Sequence, residues 1–203
     1  MKKLLSVVFC LLLSSAVFAQ NKVILVVDAG HGGADPGAQL PTRERESDYC
    51  LDIANVIADY ARQNGLTVVM TRKRKDEFLT HNKRSGFKRA DDPAFFVSIH
   101  LDQDKDVSKK GGKIYYYTKS TYGTTSRVLA EKIGKGLEQL THSKPKLETK
   151  DAIVLMKNEM ASIMIYVGYL TNKEDFARAK NPAFQKQLAA VIVNAVKDTK
   201  YNK

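Results

Sequence analysis

Apolar residues in this chain fall into short continuous runs, separated by longer stretches in which they recur at every third or fourth position. Runs of that length suit strands buried on both faces, and the periodic stretches have the spacing of amphipathic helices. The pattern predicts strands at Val23 to Asp28, Leu66 to Thr71, Ala94 to Ile99, Lys113 to Thr118, Ala152 to Leu155 and Ser162 to Val167. A helix is expected from about Ser47 to Asn64, with Cys50, Ile53, Ala54, Ile57, Ala58 and Ala61 on its inner side and Gly65 closing it. A polar helix from about Thr80 to Ala90 stops at Asp91-Asp92-Pro93, and another from about Thr124 to Leu140 carries Leu129, Ile133, Leu137 and Leu140 on one stripe. The last helix begins with Asn181 as cap and Pro182 in its first turn. Leu101 to Gly112 and Thr141 to Glu148 read as loops. Strands alternating with helices predict an α/β fold: a single domain with a mostly parallel twisted sheet of about six strands and helices on both faces.

The amino-terminal segment stands apart from this pattern. Lys2-Lys3, an apolar run from Leu4 to Leu13 and Val17-Phe18-Ala19 before Gln20 have the three zones of a secretory signal peptide, so residues 1–19 are expected to be a leader and 20–203 the exported domain. The apolar run is too short for a membrane span, and Phe9 before Cys10 argues against a lipoprotein site, so no transmembrane anchor is expected after cleavage. Export places the domain in the periplasm or outside the cell. Cys50 is then the one remaining cysteine and no internal disulfide can form. The formal charge of +11, reduced to +9 without Lys2 and Lys3, favours an anionic partner such as acidic lipid or a carboxylate-rich envelope polymer. Export and the lack of any nucleic-acid motif put nucleic acid last.

The candidate chemistry gathers after the first strand. In Asp28-Ala29-Gly30-His31-Gly32-Gly33-Ala34-Asp35-Pro36-Gly37, glycines and a proline present His31 at the carboxyl end of a strand, where open α/β sheets bind ligands. Asp35 stands where a dinucleotide loop needs its third glycine, and no Gly-Lys-Ser/Thr follows, so a phosphate loop is disfavoured. His100 ends the third strand as His31 ends the first. Glu46 lies one turn before Cys50, at a helix start and on its inward side. Two imidazoles and one carboxylate at one rim suit a catalytic zinc site with an open position. They lack the tight spacing of H-E-x-x-H, and residues so dispersed are by type alone more often unconnected. Arg72 to Lys75 reads as a solvated basic loop, His81 and His142 as solvent-facing, Cys50 as core, and the tyrosines of Lys113 to Thr118 as sheet packing. No G-x-S-x-G is present to suggest a serine hydrolase.

The segments DAGHGGADPGA, Glu46-Ser47-Asp48, Met70-Thr71-Arg72, FVSIH at Phe96 to His100 and VGYLTN at Val167 to Asn172 resemble, in order, the landmarks of the zinc-dependent N-acetylmuramoyl-L-alanine amidases. The likeness runs over essentially the whole predicted domain. It implies that His31, Glu46 and His100 are zinc ligands. It further implies a peptidoglycan or muropeptide substrate, hydrolysed at the amide between N-acetylmuramic acid and L-alanine. The chain departs from the family twice. Tyr166 stands where the resemblance places a general-base glutamate, and Met156-Lys157 where it places an arginine, Lys157 keeping a charge nearby. Kept ligands with a lost acid-base group imply either a slow enzyme or a silent relative that binds muropeptide or regulates a partner amidase. Control by another protein stays open. A basic lipid or nucleic-acid binder without metal is the remaining expectation.

Overall fold

The computed structural model describes residues 23–87 and 93–201. The leader expected over residues 1–19 and the expected Asp91-Asp92 stop lie outside the described residues; the polar helix expected from about Thr80 to Ala90 is shorter than that, ending at Ser85 with Gly86 as its C-cap. In chain order the elements are β1 (Ile24–Ala29), α1 (Glu46–Gln63), β2 (Thr67–Met70), α2 (His81–Ser85), β3 (Ala94–Asp102), β4 (Lys113–Tyr116), α3 (Gly123–Thr141), β5 (Lys146–Thr149), α4 (Ile153–Met156), β6 (Ala161–Tyr169), α5 (Lys173–Lys180) and α6 (Pro182–Asp198). Six strands form one sheet in the order β2-β1-β3-β6-β4-β5. Four of the five neighbouring pairs are parallel, and only β4 runs against β6, so the mostly parallel α/β expectation holds.

The strands' period of two divides the core into unequal layers. Leu25, Val27 and Ala29 of β1 and Phe95, Val97 and Ile99 of β3 face a thick layer that also holds apolar residues of α1, α3 and α6, such as Ile53, Ile57, Ile133, Leu188 and Ile192. The alternate residues Ile24 and Val26, with Ala94, Phe96 and Met164, face a thin layer closed by Val154 and Leu155 of α4. The site expected at the sheet's rim opens on this thin side.

Two expectations are corrected. Ala152 to Leu155, expected as a strand, belongs to the short helix α4, in which Val154 and Leu155 turn inward while Ile153 and Met156 are 45% and 43% exposed. A four-residue apolar run has no periodicity to separate a strand from a helix turn, and here packing on the thin layer decides. The sixth strand is instead β5, which begins inside the segment expected as a loop and ends one residue past it, where the polar sequence Lys146-Leu147-Glu148-Thr149 pairs with β4 from Lys113↔Lys146 to Tyr116↔Thr149. An edge strand with both faces largely wet needs no apolar run, so its signal was only its partner. The helix α5 was also not foreseen. Asn172 caps it, accepting from the backbone N–H groups of Glu174 and Asp175 at 3.1 Å each.

Cys50 lies in the thick layer with no measurable exposure, and burial pushes its thiol well above its ordinary pKa. A chain beginning at Gln20 should therefore resist a thiol-labelling reagent when native and take up one equivalent in denaturant. Rapid native labelling would contradict the packing of α1 on the sheet.

Candidate metal centre

His31 is delivered by a strained loop. It follows β1 with φ +58°, a left-handed backbone conformation that non-glycine residues adopt at a cost. A Cβ at Gly37, itself at φ +64°, would lie 2.5 Å from Glu46 Oε2 and 2.6 Å from His31 Cδ2; at Gly30 it would lie 2.5 Å from His100 Cε1. Glycine at these two positions is what lets the loop close onto the other two side chains.

Glu46 is the first residue of α1 and is 4% exposed. Its Oε2 accepts from the Ala38 N–H at 2.9 Å and its Oε1 from the Leu101 N–H at 3.0 Å. The same Oε1 lies 2.9 Å from His100 Nδ1 and 3.2 Å from His31 Nε2. Burial works to raise the pKa of Glu46, but the bonds from His100 and His31 outweigh it and hold the carboxyl far below the usual range. Burial lowers that of His31, and the carboxylates of Glu46 and Asp35 more than reverse it. One donor atom from each of His31, Glu46 and His100 lies within 4.8 Å of the others. His100 stands two residues before the end of β3, where the register with β6 slips between His100 and Asp102.

This donor set fits a zinc ion. Bonds of about 2.0–2.1 Å in a tetrahedral arrangement put neighbouring donors roughly 3.3–3.5 Å apart, close to the two separations from Glu46 Oε1. Nitrogen, nitrogen and oxygen with a fourth place open to a cleft is catalytic-zinc chemistry rather than that of a closed structural site. On the far side of the His31 ring, Nδ1 lies 2.8 Å from Asp35 Oδ2, while Asp35 Oδ1 accepts from the Gly37 N–H at 3.0 Å. A carboxylate behind a ligating histidine sets its tautomer and aim. In the sequence, Asp35 drew attention only as an interruption of a glycine motif.

Two buried arginines brace the loop, and sequence reasoning missed both. Arg72, expected in a solvated basic run, is 1% exposed. It donates to the carbonyls of Ala29 at 3.0 Å, Gly30 at 2.8 Å and Ser47 at 2.7 Å, tying the His31 loop to the first turn of α1. Arg84 of α2 donates to Asp28 Oδ1 at 2.8 Å, the Ala29 carbonyl at 2.7 Å and the His31 carbonyl at 2.6 Å. Thr71 and Ser98 hydroxyls complete the shell of Asp28, each donating at 2.6 Å. Leaving the sheet strips β1's last carbonyls of ladder partners, and guanidinium forks replace them.

A cleft of about 470 Å³ opens over this centre, lined among others by His31, His100, Phe78, His81, Lys150, Ile153 and Tyr166. His81 is exposed as expected, but at the cleft's edge; His142 is exposed elsewhere. The Tyr166 ring stacks on that of His100 at 5.1 Å between centroids and meets Tyr115 edge-on at 5.6 Å, Tyr115 packing against the thin layer as expected of a sheet tyrosine. Burial and then the nearby Glu46 carboxylate raise the Tyr166 phenol above its ordinary pKa, so it stays protonated near neutrality. Lys157, expected to keep a charge near the site, instead donates to Asn82 Oδ1 at 3.1 Å.

The fold and site thus define an α/β domain with a His-Glu-His set that could hold a metal ion at the carboxyl rim of a mostly parallel sheet. The family model described as N-acetylmuramoyl-L-alanine amidase matches residues 25–198, and the chain belongs to that family. A germination-specific N-acetylmuramoyl-L-alanine amidase of Bacillus subtilis (strain 168) is 27% identical over 191 residues, covering 85% of this chain and 78% of its own. Among solved structures, an N-acetylmuramoyl-L-alanine amidase from Clostridium difficile 630 is 28% identical with a TM-score of 0.77, covering 87% of this chain and 96% of that one. The amidase AmiC2 of Nostoc punctiforme is 29% identical with a TM-score of 0.74, covering 86% and 95%. The resemblance to N-acetylmuramoyl-L-alanine amidases drawn from the sequence is borne out.

Replacing Arg84 with alanine should cost about 3–5 kcal/mol at neutral pH in chemical denaturation, because Asp28 would be left buried and unpaired. That penalty should shrink as the pH is lowered, since protonation removes the stranded charge. In the unaltered chain the sign is the familiar one. Burial tends to raise the pKa of Asp28, but Arg84 and the two hydroxyls bring it below its ordinary 3.8, so its contribution is complete above that value and is lost as the pH falls through the lowered one.

Proposed function

We propose that this chain is an exported zinc-dependent hydrolase that cleaves the amide between N-acetylmuramic acid and L-alanine in peptidoglycan. The observation that carries the reading is the convergence of His31 Nε2, Glu46 Oε1 and His100 Nδ1 beneath an open cleft. Membership of the amidase family supplies the substrate class. The basic charge suits an anionic wall polymer, and among the described residues no helix is long and apolar enough to cross a membrane. A leader over residues 1–19 would bring the domain to that polymer.

A bound zinc would supply Lewis acidity and activate water at neutral pH. The protein's own part is to hold the donors. Glu46 is locked by two backbone N–H groups and His31 by Asp35, so neither reorganises when substrate arrives. The Tyr166 hydroxyl makes no hydrogen bond to the described residues and is left to donate into the cleft, toward an amide oxygen gaining charge. A protonated phenol does not take up a proton as a carboxylate does, which makes slow turnover the expectation.

The flat packing of Tyr166 on His100 also favours a second reading, a silent relative that binds muropeptide without cleaving it. Digestion of purified sacculi by the zinc-loaded chain separates the two: free stem peptides support the enzyme, and none after long incubation supports the binder. Tyr166→Glu should raise the rate by about 10²- to 10⁴-fold if the missing base limits turnover. An unchanged native rate would show that Tyr166 was never the obstacle.

Metal affinity tests the donor set by itself. Asp35→Ala should weaken zinc binding by roughly 10- to 100-fold, and Glu46→Ala by more, measured by competition with a chromophoric chelator. Undiminished zinc uptake by Glu46→Ala would remove the proposed ligand set.

A further inference from the structure

The charges lining the cleft are matched, with one exception. Arg84 is paired with Asp28, and Asp35 spends both oxygens on His31 and the Gly37 N–H. Lys150 is the cation left over: among the described residues its ammonium has no carboxylate partner, and the neighbouring Asp151 lies instead 3.9 Å from Lys119. Its backbone is fixed, although the residue is exposed. The Lys150 N–H donates to the Tyr116 carbonyl at 3.0 Å, extending the β4–β5 pairing by one residue. Its Nζ stands 4.4 Å from the centroid of the Tyr115 ring and 5.6 Å from that of Tyr166.

An aromatic face attracts a cation but satisfies none of the three N–H donors of an ammonium. Tyr115 and Tyr166 therefore form a shelf that aims Lys150 while leaving its hydrogen-bonding capacity for something in the cleft. Tyr166 is itself stacked on His100, so this free cation lies one ring away from a donor of the metal centre.

We propose that Lys150 is a specificity-determining residue that binds a free carboxylate of the stem peptide while the amide to be cleaved lies over the His31-Glu46-His100 centre. The inference rests on the muropeptide reading above but not on turnover, because a silent binder would use the same contact. Its chemical content is a preference. A stem peptide whose second residue carries a free α-carboxylate is favoured over one in which that group is the primary amide, which cannot make the charge-assisted bond.

The test compares, on the zinc-loaded chain, N-acetylmuramoyl-L-alanyl-D-glutamate γ-methylamide with the same molecule bearing a primary amide in place of its α-carboxylate, so that only the first carries a free carboxylate. Affinity is read by calorimetry, or as KM where chromatography shows cleavage. The acid form should be favoured by about tenfold. In Lys150→Ala the two forms should become equal, and Lys150→Arg should keep the preference. Equal affinity of the unaltered chain for both forms, or a preference that survives in Lys150→Ala, overturns the inference while release of stem peptides from sacculi still upholds the amidase. Binding of neither form, with no release from sacculi, overturns the inference and the muropeptide reading together.

Discussion

A carboxylate taken out of water must be surrounded by donors, and Glu46 meets that requirement by drawing the loop after β1 and the end of β3 to one point. The Ala38 and Leu101 N–H groups and the rings of His31 and His100 all converge on its two oxygens. Without them, burying the charge at the first turn of α1 would cost several kcal/mol. The helix start contributes as well, since its unpaired N–H groups favour a negative side chain there. The geometry of the candidate metal centre is therefore a consequence of satisfying one buried charge, and the metal reading depends on that arrangement.

A second set of unmet polar groups is created where β1 leaves the sheet. The carbonyls of Ala29, Gly30 and His31 have no strand beside them, and Arg72 and Arg84 supply the donors. Arg72 also reaches Ser47, next to Glu46, so the strand end and the helix start are clamped by one guanidinium. Rigid surroundings let His31 hold a left-handed backbone that would otherwise relax. The loop is thus stiff despite its glycines, and its stiffness comes from outside it.

The division of the sheet into a thick and a thin layer places the cleft. Asp28, Ser98, His100, Met164 and Tyr166 fall on the same parity as the thin-layer residues Val26 and Phe96. Near the sheet's centre that parity is filled by Val154, Leu155 and Met160, and toward the carboxyl rim the covering stops. Short α4 covers less of the sheet than α1, α3 and α6 do on the opposite face. The open remainder is the cleft, lined by Lys150, Tyr166 and Phe78 among others.

Much of this was legible in one dimension. Long amphipathic stretches and β-branched runs announce α1, α3, α6, β1 and β3, because their spacing is set by the local geometry of helix and strand. Glycines around His31 and the inward position of Glu46 marked the ligand candidates for the same local reason, and the ordered motifs joined them to a family. What needed the folded chain was everything whose cause lies far away in sequence. The strand β5 exists because β4 offers it a ladder, and α4 is helical because the thin layer wants two apolar side chains from four residues. Arg72 is buried because carbonyls 42 and 43 positions earlier lack partners. Lys150 stands over Tyr166 through pairing across β4, an alignment that no composition or periodicity encodes. Local periodicity reports how a segment folds against an apolar surface; only the tertiary structure decides which surface, and which unsatisfied groups, it meets there.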